Sequence, residues 1–264
     1  MAWARREAAS FTSAALTSAT VARLLRLTKR KGAPLSGADA GINANLPNVD
    51  LCRRTAMTAI VHLVRHGEVV NPHRLLYGRL PGFPLSSLGR RHAEEFSSEF
   101  CERPIAEVIS SPLERAQETG GILAKLLGVQ LRTDTRLVES WARFEGREFK
   151  YRPYFRPAEW RYYLNPWKPT WGEPFFDIAE RMAAAVLDAR PAGGQGEVIC
   201  VSHAATIYTV RRYFEGRRIQ HLSSARIVDY LSATSICFEG DVVTDVSYRE
   251  FPKRHSSDGR SLGS

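Results

Sequence analysis

The stretch Ala59-Ile60-Val61-His62-Leu63-Val64-Arg65-His66-Gly67-Glu68 decides the fold. Its first six residues are mostly apolar or β-branched, and the run stops at Arg65-His66-Gly67. So short a run suits a strand buried on both faces of a parallel sheet. Sites on such sheets lie just beyond the carboxyl ends of the strands, so Arg65 and His66 fall where chemistry is expected.

Toward the C-terminus the pattern repeats. After a Gly/Pro-rich loop at 77–84, Ser86 or Ser87 can N-cap a helix running to about Cys101. Residues 106–110 read as a second strand. Pro112, at a first helical turn, opens a helix through Leu127, with Gly128 as its C-cap. Residues 129–132 form a third strand. Residues 175–189 have helical periodicity, with Ile178, Met182 and Val186 on one stripe. A strand at 197–202 leads into a helix at 204–215. Residues 234–238 and 242–248 flank Gly240-Asp241 as a hairpin. Strands alternating with helices predict a three-layer α/β/α sandwich around a mostly parallel sheet.

Toward the N-terminus the composition changes. Residues 1–56 hold nine Lys/Arg against three Asp/Glu, so six of the net +9 charges sit in about a fifth of the chain. A basic nucleic-acid-binding protein is the reading this charge invites. Yet residues 57–264 carry only +3. Arg23 and Arg26 interrupt the one apolar helical candidate, 14–27, so it is no secretory core. Three readings of the leader stay open: an organelle transit segment, a disordered basic arm, or an extension ahead of a start at Met57. The expected organisation is a leader at 1–56, a domain at 57–252 and a flexible tail at 253–264. No apolar run approaches the roughly 20 residues that span a bilayer. No membrane or nucleic-acid partner is expected, and a cytoplasmic location is. Cys52, Cys101, Cys200 and Cys237 lie far apart with no Cys-x-x-Cys pair, which predicts reduced thiols and no zinc site.

If the sheet is parallel, three motif-bearing strand ends converge. They are Leu63-Val64-Arg65-His66-Gly67-Glu68, Val201-Ser202-His203, and Ser110-Ser111-Pro112-Leu113-Glu114-Arg115-Ala116-Gln117-Glu118-Thr119. In order and approximate spacing these motifs resemble those of the histidine phosphatase superfamily, also called phosphoglycerate mutase-like. The resemblance covers about residues 58–250.

The resemblance implies a phosphoglycerate mutase-like fold and a metal-independent phosphomonoesterase. It implies a phosphohistidine intermediate, a small phosphorylated substrate and no cofactor. His66 would be the nucleophile; a neutral imidazole offers a nitrogen lone pair near pH 7. Arg65 and Arg115 would bind the phosphoryl oxygens, since guanidinium forks match phosphate geometry. His203 would donate to the equatorial oxygens in the transition state. Glu139 stands in the place of the family's acid, giving a proton to the leaving oxygen and later taking one from water. Nearby Glu145 falls where the family has a supporting loop. Asn71, Tyr77, Gly78, Arg79 and Ala204 fall where relatives contact phosphate or substrate. Gly172-Glu173-Pro174 resembles the family's turn before a helix.

Some positions depart from the family pattern. Val69 replaces a usual hydroxyl or amide residue, and Ala204-Ala205 follows His203 where glycine is frequent. Phosphoglycerate mutase-type phosphoryl transfer is the alternative within the family. The familiar mutases carry Arg-His-Tyr-Gly after the acid, whereas this chain has Ser140-Trp141-Ala142-Arg143. P-loop, Cys-x5-Arg and His-Glu-x-x-His motifs do not occur. Residues 151–176 are dense in aromatics and read either as a packed insertion or as a lid over an apolar leaving group. His62 is expected to be a strand residue packed beneath the site.

Overall fold

The computed structural model describes residues 58–148, 172–191, 193–219 and 228–251. The expectations for residues 1–56, for the aromatic residues 151–171 and for the tail 253–264 lie outside the described residues.

The strands are β1 (Thr58–Arg65), β2 (Ile105–Ser110), β3 (Gln130–Thr133), β4 (Gly196–Ser202), β5 (Ala233–Glu239) and β6 (Val242–Arg249). They form one six-stranded sheet in the order β3-β2-β4-β1-β5-β6. The pairings β3/β2, β2/β4 and β4/β1 are parallel, whereas β1/β5 and β5/β6 are antiparallel. Among the described residues four α-helices cover the sheet: α1 (Ser87–Ser97), α2 (Glu114–Leu127), α3 (Phe175–Asp188) and α4 (Ala204–Phe214).

The two faces have separate cores. Ala59, Val61 and Leu63 of β1 join Ile178, Met182 and Val186 of α3 and Ile207 and Val210 of α4. Val64 faces the other way, with Ala93 and Phe96 of α1 and Ala116 and Leu123 of α2. This is the predicted three-layer sandwich. Burying each such large aliphatic chain stabilises the fold by about 1.5–3 kcal/mol.

Local chemistry sets the element ends. Ser86 Oγ accepts from Gly89 N, capping α1 as read from sequence. Gly128 takes the left-handed conformation (φ 69°) that closes α2. Helix α2 begins two residues later than Pro112 suggests. Leu113 is still extended (φ −72°, ψ 138°), and its carbonyl accepts from Ala116 and Gln117. Strand β3 starts at Gln130 because Val129 N is committed to Ala124 O. The hairpin turns at Gly240, where φ is 57°.

One expectation is corrected. Cys237, buried in β5, is disulfide-bonded, while Cys101 and Cys200 are free thiols. A disulfide needs two Cα atoms within roughly 4.4–6.8 Å, and spacing along a chain does not reveal such an approach. No helix among the described residues is long and apolar enough to cross a membrane.

His62 lies in mid-β1, as expected of a strand residue. Its Nε2–H donates to Glu197 Oε2 (2.9 Å), and its Nδ1 accepts from Ser235 Oγ (2.8 Å). Arg103 Nη1 donates to the same carboxylate oxygen (3.1 Å). Burial lowers the pKa of His62 although Glu197 opposes this. A neutral imidazole here joins β1, β4 and β5 through hydrogen bonds inside the sheet.

Candidate active site

Parallel pairing sets Arg65 opposite Ser202 and Ser110 opposite Val201. The residues after these three strand ends therefore share one edge, and His66 and His203 stand side by side. Their ring centroids are 5.1 Å apart. His66 N donates to Ser202 O (3.1 Å), which continues the ladder one residue beyond β1.

The His66 ring has a defined tautomer. Its Nδ1 lies 2.8 Å from Gly67 O. A carbonyl only accepts, so Nδ1 carries the proton and Nε2 keeps the lone pair. Gly67 is held in turn, its N–H donating to Thr119 Oγ1 (3.1 Å). The Thr119 hydroxyl donates to Arg115 O (2.8 Å). The threonine of the second motif thus ties α2 to the residue that orients His66.

Both guanidiniums are buried beside these rings. Arg65 Nη1 donates to Val228 O (2.7 Å), and its guanidinium lies 3.9 Å from the centroid of the Tyr230 ring. Arg115, only 1% exposed, donates from Nη2 to Gly78 O (2.5 Å) and lies 4.7 Å over the Tyr77 ring. Such stacking on an aromatic face suits a planar cation. His203, at the N-cap of α4, is bonded through Nε2 to Ser111 Oγ (2.8 Å). Arg115 Nε and His203 Nδ1 are buried with no hydrogen-bond partner among the described residues. An unmet buried polar atom costs about 1–3 kcal/mol, which an acceptor-rich or donor-bearing ligand recovers.

The pocket's electrostatics follow from burial. Burial, then Arg115, holds the pKa of both His66 and His203 well below the usual histidine value. Both imidazoles are therefore neutral near pH 7. Burial also lowers the pKa of Arg115, with Tyr77 and Glu139 opposing it. Tyr230 is pushed up by burial, so its phenol keeps its proton. Neutral imidazoles, buried cations and oriented donors together suit a small oxyanion.

The remaining predicted residues divide in two. Glu139 is 6% exposed. Its Oε1 accepts from Ser140 N (2.7 Å), and its Oε2 faces Ala205 N at 3.5 Å, at the start of α4. Tyr77 is buried beside His66, at 6.3 Å between ring centroids. Gly78 holds φ 40°, and a side chain there would run into Glu145. Ala204 is buried at the first turn of α4, next to His203. Asn71 and Arg79 are engaged elsewhere. The Asn71 amide spans Leu75 N and O, both at 2.9 Å, and shapes its own loop. Arg79 donates to Glu139 O (2.5 Å) and to the Glu173 carboxylate (2.9 Å).

Two residues at the site carry no motif signal. Tyr230 lies against His66 (5.7 Å between centroids) and under Arg65, yet it precedes an unremarkable strand. Arg181, on α3, donates to Arg136 O and Val138 O just before Glu139. Among the described residues no three His, Cys, Asp or Glu side chains cluster closely enough to hold a metal ion.

A neutral imidazole beside two buried guanidiniums, at the carboxyl edge of a parallel sheet, is chemically suited to a small anion. The comparisons with known proteins are more specific. The model of the histidine phosphatase superfamily (branch 1) matches residues 61–250. An uncharacterized protein of Mycobacterium tuberculosis is 44% identical over 195 residues, covering 72% of this chain and 95% of its own. A Proteus mirabilis protein named "Probable phosphoglycerate mutase GpmB" is 31% identical, covering 64% and 84%. The solved structure of Bacillus stearothermophilus YhfR superposes with a TM-score of 0.60 at 26% identity, covering 70% of this chain and 94% of that one. The chain belongs to the histidine phosphatase superfamily.

Proposed function

We propose that the protein is a phosphomonoesterase that works through a phosphohistidine on His66 and needs no metal ion. The observation that carries this reading is the tautomer of His66: Nδ1–H is spent on Gly67 O, so Nε2 faces the pocket chemistry as a lone pair. In the first step Nε2 attacks phosphorus while the ester P–O bond breaks. Glu139 supplies the proton that the leaving oxygen takes. In the second step a water oxygen attacks phosphorus and gives its proton to Glu139. The P–N bond breaks and inorganic phosphate leaves. Arg65, Arg115 and His203 hold the three equatorial oxygens as charge moves through them. Metal-assisted chemistry is not needed for this scheme, because two guanidiniums already supply fixed positive charge.

The test is hydrolysis of an aryl phosphate in excess chelator by wild type and His66→Ala. The wild type should turn over and form an acid-labile phosphoenzyme, and His66→Ala should do neither. Equal turnover by the two would overturn the reading. Glu139→Gln should slow phosphoenzyme formation from an alkyl phosphate far more than from an activated aryl phosphate, since only the former needs a proton on its leaving oxygen.

Mutase-type transfer is the second reading, favoured by the likeness to the Proteus mirabilis protein. Ser140-Trp141-Ala142-Arg143 after the acid weighs against it. Incubation with 3-phosphoglycerate separates the two, because a phosphatase releases inorganic phosphate and a mutase forms the 2-isomer.

A further inference from the structure

We propose that Glu173 is a positioning residue for the acid–base step, acting through Arg79 and Arg181 on the backbone that carries Glu139. The proposal rests on the acid role of Glu139 given above.

The geometry is a closed clamp. Glu173 Oε1 accepts from Arg181 Nε (2.8 Å), and Oε2 accepts from Arg181 Nη2 (2.9 Å). This fork-on-fork pair fixes the plane of the Arg181 guanidinium. Its third nitrogen, Nη1, then reaches Arg136 O (2.5 Å) and Val138 O (2.8 Å). Oε2 of Glu173 also accepts from Arg79 Nη2 (2.9 Å). Arg79 Nε in turn donates to Glu139 O (2.5 Å). One carboxylate therefore orients two guanidiniums that hold the carbonyls of residues 136, 138 and 139. The clamp comes from three parts of the chain: the turn before α3, α3 itself and the loop after β1.

Burial makes the clamp selective. The side chains of Glu173 and Arg181 are 12% and 18% exposed, so water is a poor substitute for either partner. Among the described residues the hydrogen-bond partners of the Glu139 carboxyl beyond the clamp are Ser140, its neighbour in the chain, and the distant Ala205 N–H at 3.5 Å. Its aim thus depends on where the main chain at 138–139 sits. The clamp also balances charge. Two cations converge on one anion, and Arg181 acts electrostatically on His203 as well. Without the Glu173 charge the two guanidiniums repel one another and the pocket becomes more positive.

These facts predict a split that general loosening would not give. In Glu173→Gln the acid is misplaced while the attraction for a phosphate dianion is kept or increased. Phosphoenzyme formation from a simple alkyl phosphate should slow between about ten- and a hundredfold, the scale of a misplaced catalytic group. Its KM should stay level or drop. Phosphoenzyme formation from 4-nitrophenyl phosphate, whose leaving group needs no proton, should barely change.

The experiment uses the full chain as wild type, Glu173→Gln, Glu139→Gln and the double variant, with single-turnover phosphoenzyme formation and KM measured on both substrates. The proposal is supported if Glu173→Gln is selective for the alkyl ester and the double variant is no slower on it than Glu139→Gln. It is overturned, with the acid role intact, if Glu139→Gln is selective but Glu173→Gln slows both substrates alike, slows neither, or multiplies the loss in the double variant. If Glu139→Gln itself is not selective, the acid reading fails and the proposal falls with it. If Glu173→Gln shows no cooperative melt, Arg181→Lys is judged by the same criteria, since lysine keeps the charge and loses the fork.

Discussion

Thr119→Val is a sharp test of how the fold sets His66. Thr119 is wholly buried on α2, and its hydroxyl accepts from Gly67 N (3.1 Å) while donating to Arg115 O (2.8 Å). Valine fills nearly the same volume, so no cavity opens, but the hydroxyl is gone. Arg115 O lies inside a helix and keeps a backbone donor. Gly67 N–H has no such reserve and is left buried and unmet, at a cost of about 1–3 kcal/mol. For a domain of this size each kcal/mol lowers Tm by about 2–4 °C. A fall of about 2–12 °C is therefore expected on the same basis. Gly67 also supplies the carbonyl that sets the His66 tautomer, so phosphoenzyme formation should slow in the same variant. Thr119→Ser keeps the hydroxyl and should recover most of both losses. The assay is thermal unfolding together with rapid-quench phosphoenzyme formation. If Thr119→Val melts with wild type and phosphorylates at the wild-type rate, the bond between α2 and Gly67 does not position His66.

Other outcomes follow from the same structure. The pKa values of His62, His66 and His203 are all held down by burial, so in acid the unfolded chain binds protons that the folded chain does not. Their contribution is full above about pH 6.5 and declines below it by up to about 1.4 kcal/mol per pH unit for each histidine. Urea midpoints from pH 7.5 to 5.5 should fall accordingly, and a flat profile would contradict the neutral buried rings. Glu197→Gln leaves Arg103 without its anion and should cost on the order of 2–3 kcal/mol. Turnover per folded molecule should hold, because the network sits four residues below His66, or about 13 Å along the strand. Ser111→Ala removes the hydroxyl on His203 Nε2 and should lower kcat by about tenfold at nearly constant KM. A larger change in KM than in kcat would place Ser111 in substrate binding instead.

The fold was legible because its signals are local. Residues 59–64 are apolar except for His62, Ser86 caps α1, and Gly128 closes α2 in the conformation glycine tolerates best. Where the boundaries moved, a single backbone bond was responsible, as at Val129, whose N–H belongs to the end of α2. The central four of the site were legible for another reason. Arg65, His66, Arg115 and His203 each belong to a run at or just beyond a strand end, and parallel strands bring such ends together. Tyr230 and Arg181 were not legible. Each reaches the site from a segment with no motif, and its contact depends on how distant elements pack. The disulfide at Cys237 was hidden likewise, since pairing is decided by spatial approach. Arg79 shows the converse. A motif position put it at the substrate, while its side chain serves the loop of the acid.

The register of β1 on β4 has one further consequence. Val61 faces Val198, Val64 faces Val201 and Arg65 faces Ser202, and the two histidines are simply the next rungs. Their separation is inherited from main-chain pairing deep in the molecule, not from any loop. The proposed acid, by contrast, hangs on a segment whose place is set by side chains from three elements. The histidine pair and the proposed acid are therefore built on foundations of unequal stiffness. Substitutions in that segment can shift Glu139 while the histidine pair keeps its spacing, and such an arrangement suits a scaffold whose rim varies over a fixed centre.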